Sequence, residues 1–251
     1  MTAKAVNSVA TINNVVRYAR ASLCILAASL TPGFADEPPA DLMKRVAARE
    51  TENEAARNRY MYRQTVTVSD FAGQFREVRD IIFSPTGTRT EQVVEGPANT
   101  LKKLSMTGED MRDIRDVQPI LVTRDNAFMY ESRFRGEEEL NGIACWLLEI
   151  RPRQILSGQR LFEGTLWVDK SDFSIIQVEG QAVPQIRTTK SENLFPHFTT
   201  VREKVDKTFW FPVLTYGDDT LYFRNGPQRI RLTIRYVNYK RFGAETKIEY
   251  K

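Results

Sequence analysis

Residues able to do covalent chemistry are few in this chain, and they lie far apart. His197 is the only histidine, and Cys24 and Cys145 are the only cysteines. A nucleophile needs a base within hydrogen-bond reach, and one histidine with one apolar-flanked cysteine makes no such pair. Cys145 sits in Ile143-Ala144-Cys145-Trp146-Leu147-Leu148 and reads as a small apolar filler. His197 follows Pro196 in a polar loop and reads as a surface residue. The chain has no H-E-x-x-H, no cysteine cluster for zinc, no phosphate-cradling glycine loop and no G-x-S-x-G. These readings point away from an enzyme, and no metal or cofactor is expected.

The charged clusters have plain explanations beside chemical ones. Glu137-Glu138-Glu139 could hold a metal, but a charged run on a hairpin edge also discourages strand addition. Asp218-Asp219 follows Gly217 and reads as a turn. Arg151, Arg153 and Arg160 flank a loop and could grip lipid phosphates or an acidic partner surface. A solvated loop explains the same arginines.

What remains is apolar. Trp146, Leu148, Ile150, Phe162, Leu166, Val168, Ile176, Val178, Leu232 and Ile234 fall on strand faces that could line one concave surface. Such a surface would take acyl chains, at ~0.8 kcal/mol for each methylene removed from water. The rival reading is that the same side chains meet covering helices and fill a dry core.

The elements that would place these residues are mostly strands. Leu161 to Gly180 reads as strand, turn, strand, with Phe162, Leu166 and Val168 in one parity and Asp169 to Asp172 turning the chain. Similar alternation predicts a meander over Tyr60 to Ser69, Phe75 to Phe83 and Thr88 to Glu95, ended by Gly96-Pro97. Further strands are expected at Ala127 to Arg135 and, after the hairpin signal Asn141-Gly142, at Ile143 to Arg151. Val183 to Pro196 reads as a polar loop. Phe198 to Val205, Phe209 to Tyr216, Leu221 to Phe223, Arg229 to Val237 and Lys247 to Tyr250 complete the strands.

Two helices interrupt this pattern. Pro38 to Arg57 carries a narrow stripe of Leu42, Met43, Val46 and Ala47, with Glu50 among the polar residues, so it should lie on the sheet surface. Met111, Ile114 and Val117 predict a short helix from Gly108, with acidic residues first and Pro119 at its end. The fold class is therefore mainly β with a few helices: one curved antiparallel sheet of about eleven strands, an incomplete barrel covered by lid helices. A flat sheet of that size is uncommon.

Residues 1–35 read as a secretory signal peptide, with Lys4, Arg17 and Arg20, an apolar run, and small residues at Gly33 and Ala35. A periplasmic location follows, with residues 36–251 as a single domain that retains only Cys145. Setting the leader's basic residues aside leaves 33 basic against 32 acidic residues, so the basic balance is no nucleic-acid footprint. A monomer is expected.

Trp167-Val168-Asp169, the stretch Phe173 to Glu179, and Phe209-Trp210-Phe211-Pro212, together with the order of elements, resemble the LolA/LolB-like family of outer-membrane lipoprotein-sorting proteins. The resemblance implies an open barrel with a helical lid over an apolar cavity. It also implies lipid acyl chains or a lipoprotein as partner, and an arginine that ties the lid helix down. The sequence singles out no one arginine for that place. Related folds serve as periplasmic stress sensors, which keeps a non-catalytic envelope interaction module with a filled core as the alternative.

Overall fold

The computed structural model describes residues 37–84, 87–116, 122–189 and 192–242. The expected leader, the strand from Lys247 to Tyr250, and Val117 with the helix-ending Pro119 lie outside these residues. The first helix, α1, runs Leu42–Arg57. Strands β1 (Tyr60–Ser69), β2 (Gln74–Phe83) and β3 (Arg89–Asn99) follow, then α2 (Gly108–Asp116). A single turn of 3-10 helix, Ala127–Met129, leads into β4 (Tyr130–Leu140), β5 (Ile143–Pro152), β6 (Leu161–Asp169) and β7 (Ile175–Val183). The short strands β8 (Ile186–Arg187) and β9 (Glu192–Asn193) precede β10 (Phe198–Val205), β11 (Phe209–Phe223) and β12 (Gly226–Arg241).

Ten of these strands form one curved, open antiparallel sheet in the order β3-β2-β1-β12-β11-β10-β7-β6-β5-β4, and β8 pairs only with β9. The mainly β, open-barrel expectation is met. β1 alternates buried and half-buried residues without a break, as a strand covered on one face must. The hairpin between β4 and β5 turns at Asn141 (φ 53°) and Gly142 (φ 81°), the positive-φ pair that the sequence signalled.

Several boundaries differ from expectation for identifiable reasons. α1 begins four residues after Pro38, following a turn in which the Leu42 N–H bonds to the Pro39 carbonyl oxygen. β3 runs through Gly96-Pro97 instead of stopping there. It is an edge strand, where a missing N–H leaves no ladder bond unmade, and register shifts around Val78 of β2 absorb the irregularity. The loop expected from Val183 to Pro196 contains the β8–β9 ladder and buries Leu194 and Phe195. Asp218-Asp219 is no turn: β11 is continuous through it. A side chain at Gly217 would place its Cβ 2.3 Å from the His197 carbonyl oxygen, so the glycine admits a close crossing and not a bend.

One main core joins the inner face of the sheet to both helices. Leu42 and Val46 of α1 and Ile114 of α2 share a cluster with Val66, Ile81, Leu148, Leu166, Val178, Ile234 and their neighbours. α1 is sunk deeper than its narrow apolar stripe suggests. Glu50 and Asn53 lie on its buried side, each fully shielded from water. Glu50 is buried because Arg202 of β10 reaches it: Nη1 lies 2.9 Å from both carboxylate oxygens. Asn53 Nδ2 donates to the same carboxylate at 3.0 Å. Arg49 anchors the helix further, donating to Ser174 Oγ and to the Thr208 carbonyl oxygen, both at 3.0 Å.

Candidate functional site

The inner face is divided between a packed region and a hollow one. Trp146, Leu148, Ile150, Phe162, Leu166, Val168, Val178, Leu232 and Ile234 all lie in the main core, each no more than 6% exposed. Trp146 stacks on Phe173, and Phe162 packs on Phe198 with ring centroids 5.8 Å apart. Phe162 also lies over the cross-strand glycine pair Gly164 and Gly180, where an added Cβ would come within 2.6 Å and 2.7 Å of its ring.

Ile176 departs from the other expected residues. It belongs to a separate cluster with Cys145 and Trp210, outside the main core. A register irregularity between Trp167 and Val168 puts one extra residue into β7, so Val168 pairs with Ile175. Ile175 therefore enters the main core in the place expected for Ile176.

A cavity of about 430 Å³ opens at the other part of this face. Its floor is Val68 of β1 with Ile230 and Leu232 of β12. Leu104, Met106 and Ile114 roof it, and Leu194, Phe195 and Phe223 wall it. The volume lies within the ~300–1,000 Å³ usual for small-molecule sites. Of the ten residues expected to line an apolar surface, Leu232 alone borders this cavity. Eight of the others are packed in the main core, and Ile176 borders a separate pocket beside Trp210.

The roof is tied down at both ends. At one end, Asp70 in the β1–β2 turn accepts the backbone N–H groups of Lys102 and Lys103, each at 2.8 Å, and those of Ala72 and Gly73. Burial alone would raise the Asp70 pKa. The four N–H donors, Lys103 foremost, outweigh that and hold it at about 2. At the other end, Arg160, just before β6, reaches Asp113 of α2. It also donates to Asn193 Oδ1 at 3.2 Å and to the Pro184 carbonyl oxygen. Between these anchors, Thr107 and Asp110 cap the start of α2 by reciprocal bonds.

The remaining residues with chemical potential are dispersed. His197 is exposed. Cys145 is fully buried, and that burial, followed by the Asp169 carboxylate, pushes its thiol up to about 11. Glu137 pairs with Lys170, and Glu138 accepts the Trp167 indole N–H at 3.0 Å. Among the described residues no three His, Cys, Asp or Glu side chains group as a metal site. Arg151 pairs with Glu131, and Arg153 donates to the Tyr130 carbonyl oxygen.

The cavity's own walls also carry a signal in the sequence. Leu194-Phe195-Pro196 is an apolar triplet inside an otherwise polar loop, and Leu104 and Met106 alternate with polar residues just before α2. Both were visible signals.

No protein-family model and no curated protein matches the chain. Its structure is similar to that of a DUF1329 family protein from Desulfovibrio piger, at 12% identity, with 84% of this chain and 96% of that one covered and a TM-score of 0.42. It is also similar to a structure described as an outer membrane lipoprotein-sorting protein domain from Vibrio parahaemolyticus, at 10% identity, 83% and 95% coverage, and a TM-score of 0.38. A LolA superfamily protein from Nitrosomonas europaea is similar at 12% identity, 81% and 98% coverage, and a TM-score of 0.32.

Proposed function

We propose that this is a non-catalytic periplasmic binding protein that shelters an acyl chain, from a lipid or a lipoprotein, between its sheet and its lid. The observation that carries the reading is the cavity of about 430 Å³ roofed by Leu104, Met106 and Ile114 over Val68, Ile230 and Leu232. An alkyl chain entering it gains ~0.8 kcal/mol per buried methylene, less the cost of ordering the chain. The Arg160–Asp113 and Asp70–Lys103 ties hold a roof that such a ligand would have to pass. The periplasmic location rests on the leader-like residues 1–35, and no partner beyond the ligand is needed for binding.

The test is uptake of a fluorescent fatty-acid probe by the full chain, with native mass spectrometry for lipid carried from a bacterial envelope. Met106→Trp, on the half-buried roof, should weaken probe binding about tenfold by filling the cavity, with far-UV circular dichroism unchanged. No uptake by the parent protein, or equal uptake by the variant, removes the proposal.

One observation favours a second reading, a non-catalytic envelope interaction module. Trp146, Leu148, Ile150 and Phe162, expected to line a trough, are packed against side chains instead. Crosslinking in the envelope that gives one protein adduct and no bound lipid would select this reading.

A further inference from the structure

We infer that the cavity's ligand carries an anionic head, a carboxylate or a phosphate, directly beside a single alkyl chain. The inference rests on the binding reading above and assigns the head group that the reading leaves open.

Four charged residues line the cavity: Lys103, Asp110, Glu192 and Arg224. Asp110 and one oxygen of Glu192 already have donors, while Glu192 Oε1 is buried beside Arg187 without a hydrogen bond. Asp110 Oδ2 accepts both the backbone N–H and the hydroxyl of Thr107 at 2.7 Å. Glu192 Oε2 accepts the backbone N–H of Arg224 at 3.0 Å, and its Oε1 lies 3.6 Å from the Arg187 guanidinium. A cationic head would have to compete with these bonds.

The two cations are differently placed. Lys103 is exposed, and its ammonium has no ion-pair partner among the described residues. Its backbone is nevertheless fixed, because its N–H is one of the donors held by Asp70. Arg224 Nη1 donates at 3.1 Å to the Thr189 carbonyl oxygen, a neutral acceptor, and the guanidinium retains its charge and other donors. Apolar walls thus lie next to two cationic residues whose side chains form no ion pair among the described residues. An alkyl chain ending in an anion satisfies both, since charge-assisted bonds to Lys or Arg are the stronger class. Because both cations face solvent, the effect is on selectivity and screens with salt.

The experiment displaces the fluorescent fatty-acid probe from the full chain with four dodecyl compounds below their micelle concentrations: dodecanoate, dodecyl phosphate, dodecyl maltoside and dodecyltrimethylammonium. At low salt the two anions should displace about tenfold better than the maltoside, with the ammonium weakest. The ratio of dodecanoate to dodecyl phosphate separates a fatty-acid from a phospholipid-derived head. Lys103→Glu combined with Arg224→Glu should invert the order of anion and ammonium, and raised salt should flatten it. Equal displacement by all four heads, or an order that charge reversal leaves intact, overturns the head-group assignment while the cavity reading stands. Failure of every compound to displace the probe overturns both.

Discussion

Arg160 and Asp113 face each other across the edge of the roof, Nη2 to Oδ2 at 2.5 Å and Nε to Oδ1 at 3.1 Å, in the two-pronged geometry that suits a guanidinium and a carboxylate. Asp113 is almost wholly buried and Arg160 largely so. The pair joins α2 to the strand that follows Arg160 over a separation of 47 residues. Whatever frees α2 must break it.

Arg160→Ala should therefore destabilise the protein by about 3 kcal/mol, because it withdraws a two-pronged guanidinium from the buried Asp113 carboxylate. Asp113→Ala should cost a similar amount, and the double variant much less than the sum. Urea denaturation measures all three. Hydrogen exchange over residues 108–116 should quicken in Arg160→Ala, and the bound fatty-acid probe should leave faster. Additive losses with unchanged exchange would show that the pair does not hold the roof.

The Glu50–Arg202 pair is more deeply buried, at 0% and 1% side-chain exposure. Removing either partner, as in Glu50→Leu or Arg202→Met, should cost about 3–5 kcal/mol. The joint variant should recover part of that loss, since two apolar side chains can replace a buried ion pair at little net cost, but Asn53 Nδ2 is left buried without the acceptor that Glu50 supplies. Denaturation midpoints across the three variants test this. The probe should still bind the double variant, because neither residue borders the cavity.

Asp70 makes the roof sensitive to acid. Its folded pKa, about 2, lies below the ~3.9 of an unfolded aspartate. The stability it contributes is present above the unfolded value and falls away as pH drops from roughly 4 towards 2. Asp70→Ala should lose about 1–2 kcal/mol at neutral pH, as for the loss of a strong capping residue. It should also flatten the acid limb of the stability–pH curve. An unchanged limb would mean that other carboxylates dominate it.

Cys145 should be inert. With its thiol pushed up to about 11 and fully buried, very little thiolate exists at pH 8. A disulfide reagent such as Ellman's should react with it only after denaturant is added. Rapid labelling of the native chain would place the thiol at the surface.

Local pattern was enough to specify much of the architecture. Alternation in Tyr60 to Ser69, the turn residues Asn141-Gly142, and the helical spacing of Met111 and Ile114 each act over a few residues, and each produced the element expected of it. The same period-two rule failed where one extra residue enters β7, because a bulge exchanges Ile175 for Ile176 and only the pairing partner reveals it. Glu50 looked like a surface residue until Arg202, 152 positions away, met it. Gly217 looked like a bend until the His197 carbonyl crossed it. The cavity's place was settled in the same way. Alternation says which side chains share a face, but not how far along that face the covering segments reach, and it is their reach that leaves Leu232 beside open space and packs Leu166 solid.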